Sequence, residues 1–474
     1  MRHVALALAI LLAPGCGQSG SSPLHGGADG ADGAGGPGPG GGDGGAGSDG
    51  AWQVDGSGGG GDAGAGDGSG SGGFNVFVVD RWTARGIPGA QVRVGAAEAA
   101  SPLLGVTDGN GLAVLDGSAL SGPQVVTASA NGYVAATWFG VDNATVTVRL
   151  IPTMPAVAPT ATVSGTIRDW NTLPAPPGNF LIAAVWYSFT HDREAPENYA
   201  DQGMIVRNVC VRVLPTDPCN WSLKTRIGKL AVFTAVIEQD TNGTPMNTND
   251  DTLHFRGYAI ERGYDLDSGE LVSGQELVLI ADTDLWDAQV TYDTPPPSLV
   301  NVSWIPELQL GEEGQIPFMD VTGEGLRIPA LTGNLSSASY TIEATAMGAQ
   351  SYPQAVIWAR EADVSTTVDL GAWLDPPQSL DVTGGTYSFD PVAGASLHAV
   401  DLFDTSAGTL RWSVLLLDGA TSFELPSLSP DPLEADVDMV VRGVDLGGFV
   451  PEEFVFEQLI LDLDRSSATR ASFP

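Results

Sequence analysis

Lysine is nearly missing from this 474-residue chain. Lys224 and Lys229 are the only two, and with arginine they make 20 cations against 57 Asp and Glu. The formal net charge of −37 leaves no basic stripe to track phosphates, which excludes nucleic-acid binding. It admits cations and cationic partners without identifying one. Long apolar runs are also absent. The longest, residues 4–12, is too short to span a bilayer as a mature helix. Histidine is scarce, and no His-x-x-x-His, His-Glu-x-x-His or Cys-x-x-Cys spacing marks a zinc site. No Gly-x-Ser-x-Gly elbow occurs in the folded part and no P-loop occurs at all, which removes two common catalytic frameworks. The carboxylates are too numerous for a glycosidase pair to stand out. These gaps together favour a chain that is not an enzyme.

What is present begins with a leader. Arg2 precedes the apolar residues 4–12, and Ala13-Pro14-Gly15-Cys16 follow, the charged–apolar–small order of a secretory signal. A cysteine directly after the small residues resembles the lipobox of bacterial lipoproteins. That resemblance implies cleavage after residue 15, lipidation of Cys16, and attachment to a membrane through its acyl chains. It departs from the family at Ala13, where leucine is usual. Gly17 in place of an aspartate implies an outer-membrane destination. Each buried methylene contributes about 0.8 kcal/mol, so several acyl chains hold firmly.

Residues 16–73 form the next segment. From residue 17 onward, 27 of its 57 positions are glycine, and seven aspartates stand without a lysine or arginine among them. It has too little apolar surface to offset the entropy of ordering, so a disordered Gly/Asp-rich tether is expected. Its root-mean-square span is about 40 Å as a coil, and about 190 Å fully extended.

After residue 73 helical periodicity gives way to short alternating runs: Gln91–Val94, Ala144–Leu150 and Val364–Leu370. Turn residues punctuate them every eight to twelve positions, the rhythm of tandem β-sandwiches in an all-β chain. Proline clusters at 152–159, 295–297 and 376–377 mark seams, because proline cannot donate to a sheet ladder. The expected units are residues 74–152, 160–297, 298–375 and 376–474. Tyr340–Gly348, Trp358 and the 364–370 run loosely echo residues 126–150, an internal repeat.

In the first unit, Pro88-Gly89-Ala90 leads into a strand, Thr107-Asp108-Gly109-Asn110-Gly111 makes a turn, and Gly132-Tyr133 follows a later strand. This order resembles the carboxypeptidase regulatory-like domain, a small transthyretin-like sandwich with a carbohydrate-binding-like fold. The resemblance implies a fold and a non-catalytic binding module, with sugar binding as an analogy. The last unit resembles a fibronectin type III module through Thr386–Pro391, Gly394-Ala395, Leu410-Arg-Trp412 and Phe423–Pro426, although Phe389 stands where tryptophan is usual.

Cys210 and Cys219 remain, in a compartment where export favours oxidation. The Pro215-Thr216-Asp217-Pro218 turn between them leads us to expect a disulfide closing a β-hairpin. The loop from Gln239 to Asp251 alternates side-chain oxygens around a glycine, so Asp240, Asn242, Asp250 and Asp251 are the ligands a calcium ion would use, against a plain solvated turn as the alternative. His191 with Asp192, Glu194 and His254 could hold zinc only across two loops. Eleven tryptophans either fill sandwich cores or offer faces to sugars. The chain therefore reads as a lipid-anchored envelope protein with a binding or adhesion role toward glycans or protein partners. The alternative is a passive structural or assembly lipoprotein.

Overall fold

The computed structural model describes residues 73–473 except 96–101, 117–119, 121, 155–156, 200–207, 215, 244–250, 321, 323–324, 430 and 434–435. The described chain is almost wholly β, and its single α-helix is the four-residue Gln458–Leu461. Alternating burial runs along the strands, as in Phe74–Asp80, where Phe74, Val76 and Val78 are buried and their neighbours half-buried. That period of two puts one apolar face on each core.

A twelve-stranded sheet runs through three of the four units. Its order begins with Gln315–Pro317, Asn301–Gln309, Ser339–Gln350 and Tyr352–Ala359. It continues through Leu463–Phe473, Val437–Leu446, Leu397–Asp404 and Leu410–Leu416, and ends with Ala135–Val141, Gln124–Ser129, Gln91–Val94 and Leu103–Val106. Two junctions make it continuous. Tyr352–Ala359 pairs antiparallel with Leu463–Phe473, and Leu410–Leu416 runs parallel to Ala135–Val141 with Trp412 opposite Ala135. The indole of Trp412 donates to the Thr137 hydroxyl at 3.0 Å across the second junction. Hydrogen bonding thus crosses the proline seams.

The cores cross them too. Leu397, Leu415, Leu417, Val444, Leu446 and Phe454 from the last unit complete the core of the first. There the Phe74–Asp80 strand, between Leu112–Leu115 and Thr145–Leu150, forms the facing sheet. In the second unit, one sheet holds Val209–Arg212, Phe180–Tyr187, Gly228–Asp240 and Thr252–Leu266, and the other holds Asn220–Arg226, Thr160–Ile167 and Leu271–Leu277. The four-stranded sheet is apolar on both faces. Val232, Val236 and Ala259 pack toward its sandwich partner, whereas Ala231, Tyr258 and Ile260 belong to the core of the third unit. Near-continuous apolar residues in Leu230–Ile237 are what burial on two faces requires.

Two expectations are corrected. The 364–370 run is strand only at Val368–Asp369, because the Asp363 carboxylate captures the Ser365 backbone N–H and hydroxyl and curls the chain into a turn. The Cys210–Cys219 disulfide forms, with Cα atoms 5.2 Å apart, but closes no hairpin. Val209–Arg212 and Asn220–Arg226 lie in different sheets, so the bond staples the two layers of the second sandwich through its core. Of the turn glycines, Gly111 adopts positive φ (+80°) and Gly109 does not.

Candidate functional site

A cleft of about 530 Å³ opens in the first unit at the Asp80 end of its first strand. Asp80, Thr83, Arg85, Gly86–Gly89, Ala130, Asn131 and Tyr133 line it. Its floor is built by local hydrogen bonding. The Asp80 Oδ1 accepts the Trp82 and Thr83 N–H groups at 3.0 and 2.9 Å, which folds residues 81–85 into a tight loop. The Ala84 N–H returns to the Asp80 carbonyl at 3.0 Å, and the Asp80 N–H donates to the Arg85 carbonyl at 2.9 Å. Ala84 is left-handed at φ 52°, a backbone costing a residue with a Cβ about 1 kcal/mol or more, and this turn carries Arg85 to the cleft.

The opposite wall is the Ala130–Tyr133 turn. Tyr133 donates its hydroxyl to Asp80 Oδ2 at 3.3 Å, and burial together with the Asp80 charge raises its pKa above the usual phenol value. Behind the cleft, Thr107 ties the 87–90 segment down, donating to the Ile87 carbonyl at 2.6 Å and accepting the Ala90 N–H at 2.8 Å. Asp108 receives the Leu112 and Asn110 N–H groups, which lower its pKa. Gly111 beside it admits no side chain, since a Cβ there would stand 2.5 Å from the Val78 carbonyl oxygen.

A second polar constellation lies where the units meet, on the segment from Ser188 to Tyr199. Asn198 is buried and holds this segment in shape, accepting the Thr190 N–H at 2.8 Å and donating to the Asp192 carbonyl at 2.9 Å. Three consecutive charges then point to two different units. Asp192 and Glu194 grip Arg81 of the first unit, at 3.1 and 2.8 Å. Arg193 pairs with Glu307 and, at 3.1 Å, with Glu343 of the third unit. Burial alone would lower the pKa of Arg81, but Glu194 and Asp192 outweigh it and hold the guanidinium charged. Glu343 also accepts the Trp358 indole N–H at 3.2 Å. Further along the sheet Arg442 pairs with Asp401, which also accepts the Ser413 hydroxyl at 3.0 Å. Arg262 reaches Glu313 at 2.6 Å across the second and third units. These charges are each held by a partner.

The sequence candidates fare differently. Cys16 and Asp250 lie outside the described residues. Asp240 accepts the Asn242 N–H at 2.9 Å, capping the turn in which Asn242 is left-handed at φ 48°. Asp251 accepts the Gln239 amide. Among the described residues no three Asp, Glu, His or Cys side chains converge as a metal would need. The residues of the zinc grouping each meet other partners. Arg81 fills the place between Asp192 and Glu194, His191 Nε2 sits 3.1 Å from the Gly311 carbonyl, and His254 stands in a strand opposite Glu238. Trp138, Trp170, Trp221, Trp373 and Trp412 are buried, Trp186, Trp286 and Trp304 pack half-buried against the cores, and Trp82 and Trp358 are half-buried.

The sequence reading passed over Arg85, Asn131 and Arg193, and took Asp192 and Glu194 only as companions of His191. The signal available was the run of three charges in His191-Asp192-Arg193-Glu194, unusual in a chain with only 20 cations.

No protein-family model matches the chain, and no curated protein is similar to it. Among solved structures it is similar to the Bacillus anthracis TIE protein at 12% identity, over 63% of this chain and 50% of that one, with a TM-score of 0.14. GBS52, the minor pilin of Streptococcus agalactiae, matches 44% of this chain and 97% of its own at 10% identity and TM-score 0.14. The pilus adhesin SpaC of Lactobacillus rhamnosus GG, in its open conformation, matches 75% of this chain and 44% of its own at 13% identity and TM-score 0.14. The chain thus spans half the length of the TIE protein structure it matches. At these TM-scores the likeness is loose, and the reading of the site rests on its own residues.

Proposed function

We propose that this chain is a lipid-anchored outer-membrane protein with a non-catalytic binding or adhesion role, its folded part presented to partners as one stiff body. Cys16 is the attachment residue and residues 17–73 the tether. The continuous twelve-stranded sheet is the observation that supports the single-body part of this reading, while the anchor rests on the Ala13–Cys16 resemblance alone. Units joined by flexible linkers swing freely, because small polar interfaces permit relative motion. Units joined by strand pairing, shared cores and buried guanidinium–carboxylate pairs move together, so a force or a contact at one end is felt at the other. That suits a body that holds a partner while tethered to a surface.

Protease shaving of intact cells tests this, with Cys16→Ser as the anchoring control. The expected result is release of one stable fragment from residue 74 onward, cut free in the tether, and loss of Cys16→Ser protein from the membrane fraction. Full protection until the outer membrane is opened would place the body inside and overturn the adhesion role. Retention of Cys16→Ser in membranes would overturn the anchor.

A further inference from the structure

We propose that the cleft at the Asp80 end of the first unit is a saccharide-binding site that selects a sugar carrying a carboxylate, with Arg85 as the carboxylate receptor. The inference rests on the binding role proposed above and names its ligand.

Arg85 is the deciding residue. Each of the other described arginines has a bonding or ionic partner, as ion pairs (Arg168 with Glu276, Arg411 with Asp404, Arg465 with Asp445), as bonds to carbonyls (Arg212, Arg226, Arg360), or otherwise. The Arg85 guanidinium has none among the described residues, although the chain carries 57 carboxylates. An exposed guanidinium left unneutralised in so acidic a protein, at the mouth of a cleft, presents its paired N–H donors to a ligand that brings its own anion. The bulk negative charge does not forbid this. Fields of carboxylates more than about 8 Å away are screened at physiological salt, and Asp80, which lines the cleft itself, is engaged by the Trp82 and Thr83 N–H groups and the Tyr133 hydroxyl.

The rest of the lining fits hydroxyls. Asn131, likewise unpartnered among the described residues, offers an amide with two donors and an acceptor, and Asp80 Oδ2 keeps acceptor capacity beyond its bond to Tyr133. Planar groups of this kind meet two neighbouring ring hydroxyls at once. The volume, about 530 Å³, lies in the ordinary range of small-ligand sites and accommodates one or two sugar rings. The walls are firm, since both turns are tied by the hydrogen bonds described above and the left-handed Ala84 sets the loop.

Placement supports use. The tether joins the body at Phe74, and six residues of strand carry the chain about 20 Å to Asp80. The cleft therefore sits at the far end of that strand from Phe74, where the tether would join.

The test is calorimetry on the full chain carrying Cys16→Ser, titrated with digalacturonate and with neutral galactobiose. Saturable binding of digalacturonate is expected, with galactobiose weaker by about tenfold or more. Arg85→Gln should remove that preference and weaken digalacturonate about tenfold, and Asn131→Ala should weaken both sugars. Lys224→Gln, at the exposed lysine of the second unit, should leave both unchanged. Binding of neither sugar, equal binding of the two, or an equal loss with Lys224→Gln would overturn the assignment. Because the protein is free in solution, failure here leaves the anchor and surface placement to the shaving experiment.

Discussion

Arg193 is the residue on which the union of the second and third units can be tested most directly. Its guanidinium pairs with two buried carboxylates, Glu307 with 4% and Glu343 with 9% of the side chain exposed. Arg193→Ala leaves the two acids with unequal support. Glu343 keeps the Trp358 indole and the Thr345 hydroxyl, at 3.2 and 3.3 Å. Glu307 keeps no other side-chain donor among the described residues, so the penalty concentrates there. Removing one partner of a buried pair costs about 3–5 kcal/mol, and because Arg193 is itself about a quarter exposed the low end, about 3 kcal/mol, applies. Equilibrium denaturation followed by tryptophan fluorescence is a suitable assay, since Trp358 sits inside the cluster. Adding Glu307→Gln to Arg193→Ala removes the stranded charge and should restore about half of the loss, a coupling that a double-mutant cycle isolates. A loss under about 0.5 kcal/mol for Arg193→Ala, or strict additivity with Glu307→Gln, would refute the claim that this pair locks the units.

Other perturbations probe the remaining devices. Replacing both Cys210 and Cys219 by serine opens a short loop of sequence separation 9 and should cost about 2.5 kcal/mol, read as a lower denaturant midpoint that reductant no longer changes. Gly111→Ala forces a Cβ into the Val78 carbonyl and a strained backbone, and should cost about 3 kcal/mol or more while weakening any ligand of the cleft. His398 is buried against Phe389, and that burial depresses its pKa below the ordinary 6.5 despite the Ala420 backbone and the Asp418 charge, which act the other way. The unfolded chain therefore takes up the proton first. This stabilising contribution is complete above pH 6.5 and is lost as pH falls through that value toward the folded pKa. Melting temperatures between about pH 7.5 and 5.5 should fall in the native chain more than in His398→Gln.

Local chemistry wrote much of this protein legibly. Period-two alternation in Gln91–Val94 and Ala144–Leu150 identified strands, because a strand's two faces are set residue by residue. With two cysteines in the folded part, their pairing was also legible. The run at 364–370 misled for an equally local reason, a single aspartate upstream that offered the backbone a turn.

Tertiary structure alone decided how the pieces join. Nothing in the pattern of Leu410–Leu416 says that it will lie against Ala135–Val141, more than 270 positions earlier, since any amphipathic strand edge satisfies the same alternation. For the same reason the disulfide was predictable as a pair yet not as a staple between sheets, and the three charges at 192–194 could not be assigned to Arg81, Glu307 and Glu343. The cleft is of that kind too, since it exists only where a loop after one strand meets a turn some fifty residues on. Strand identity is set by neighbours along the chain, whereas sheet order, ion-pair partners and cavities are set by which distant edges bury the most surface together.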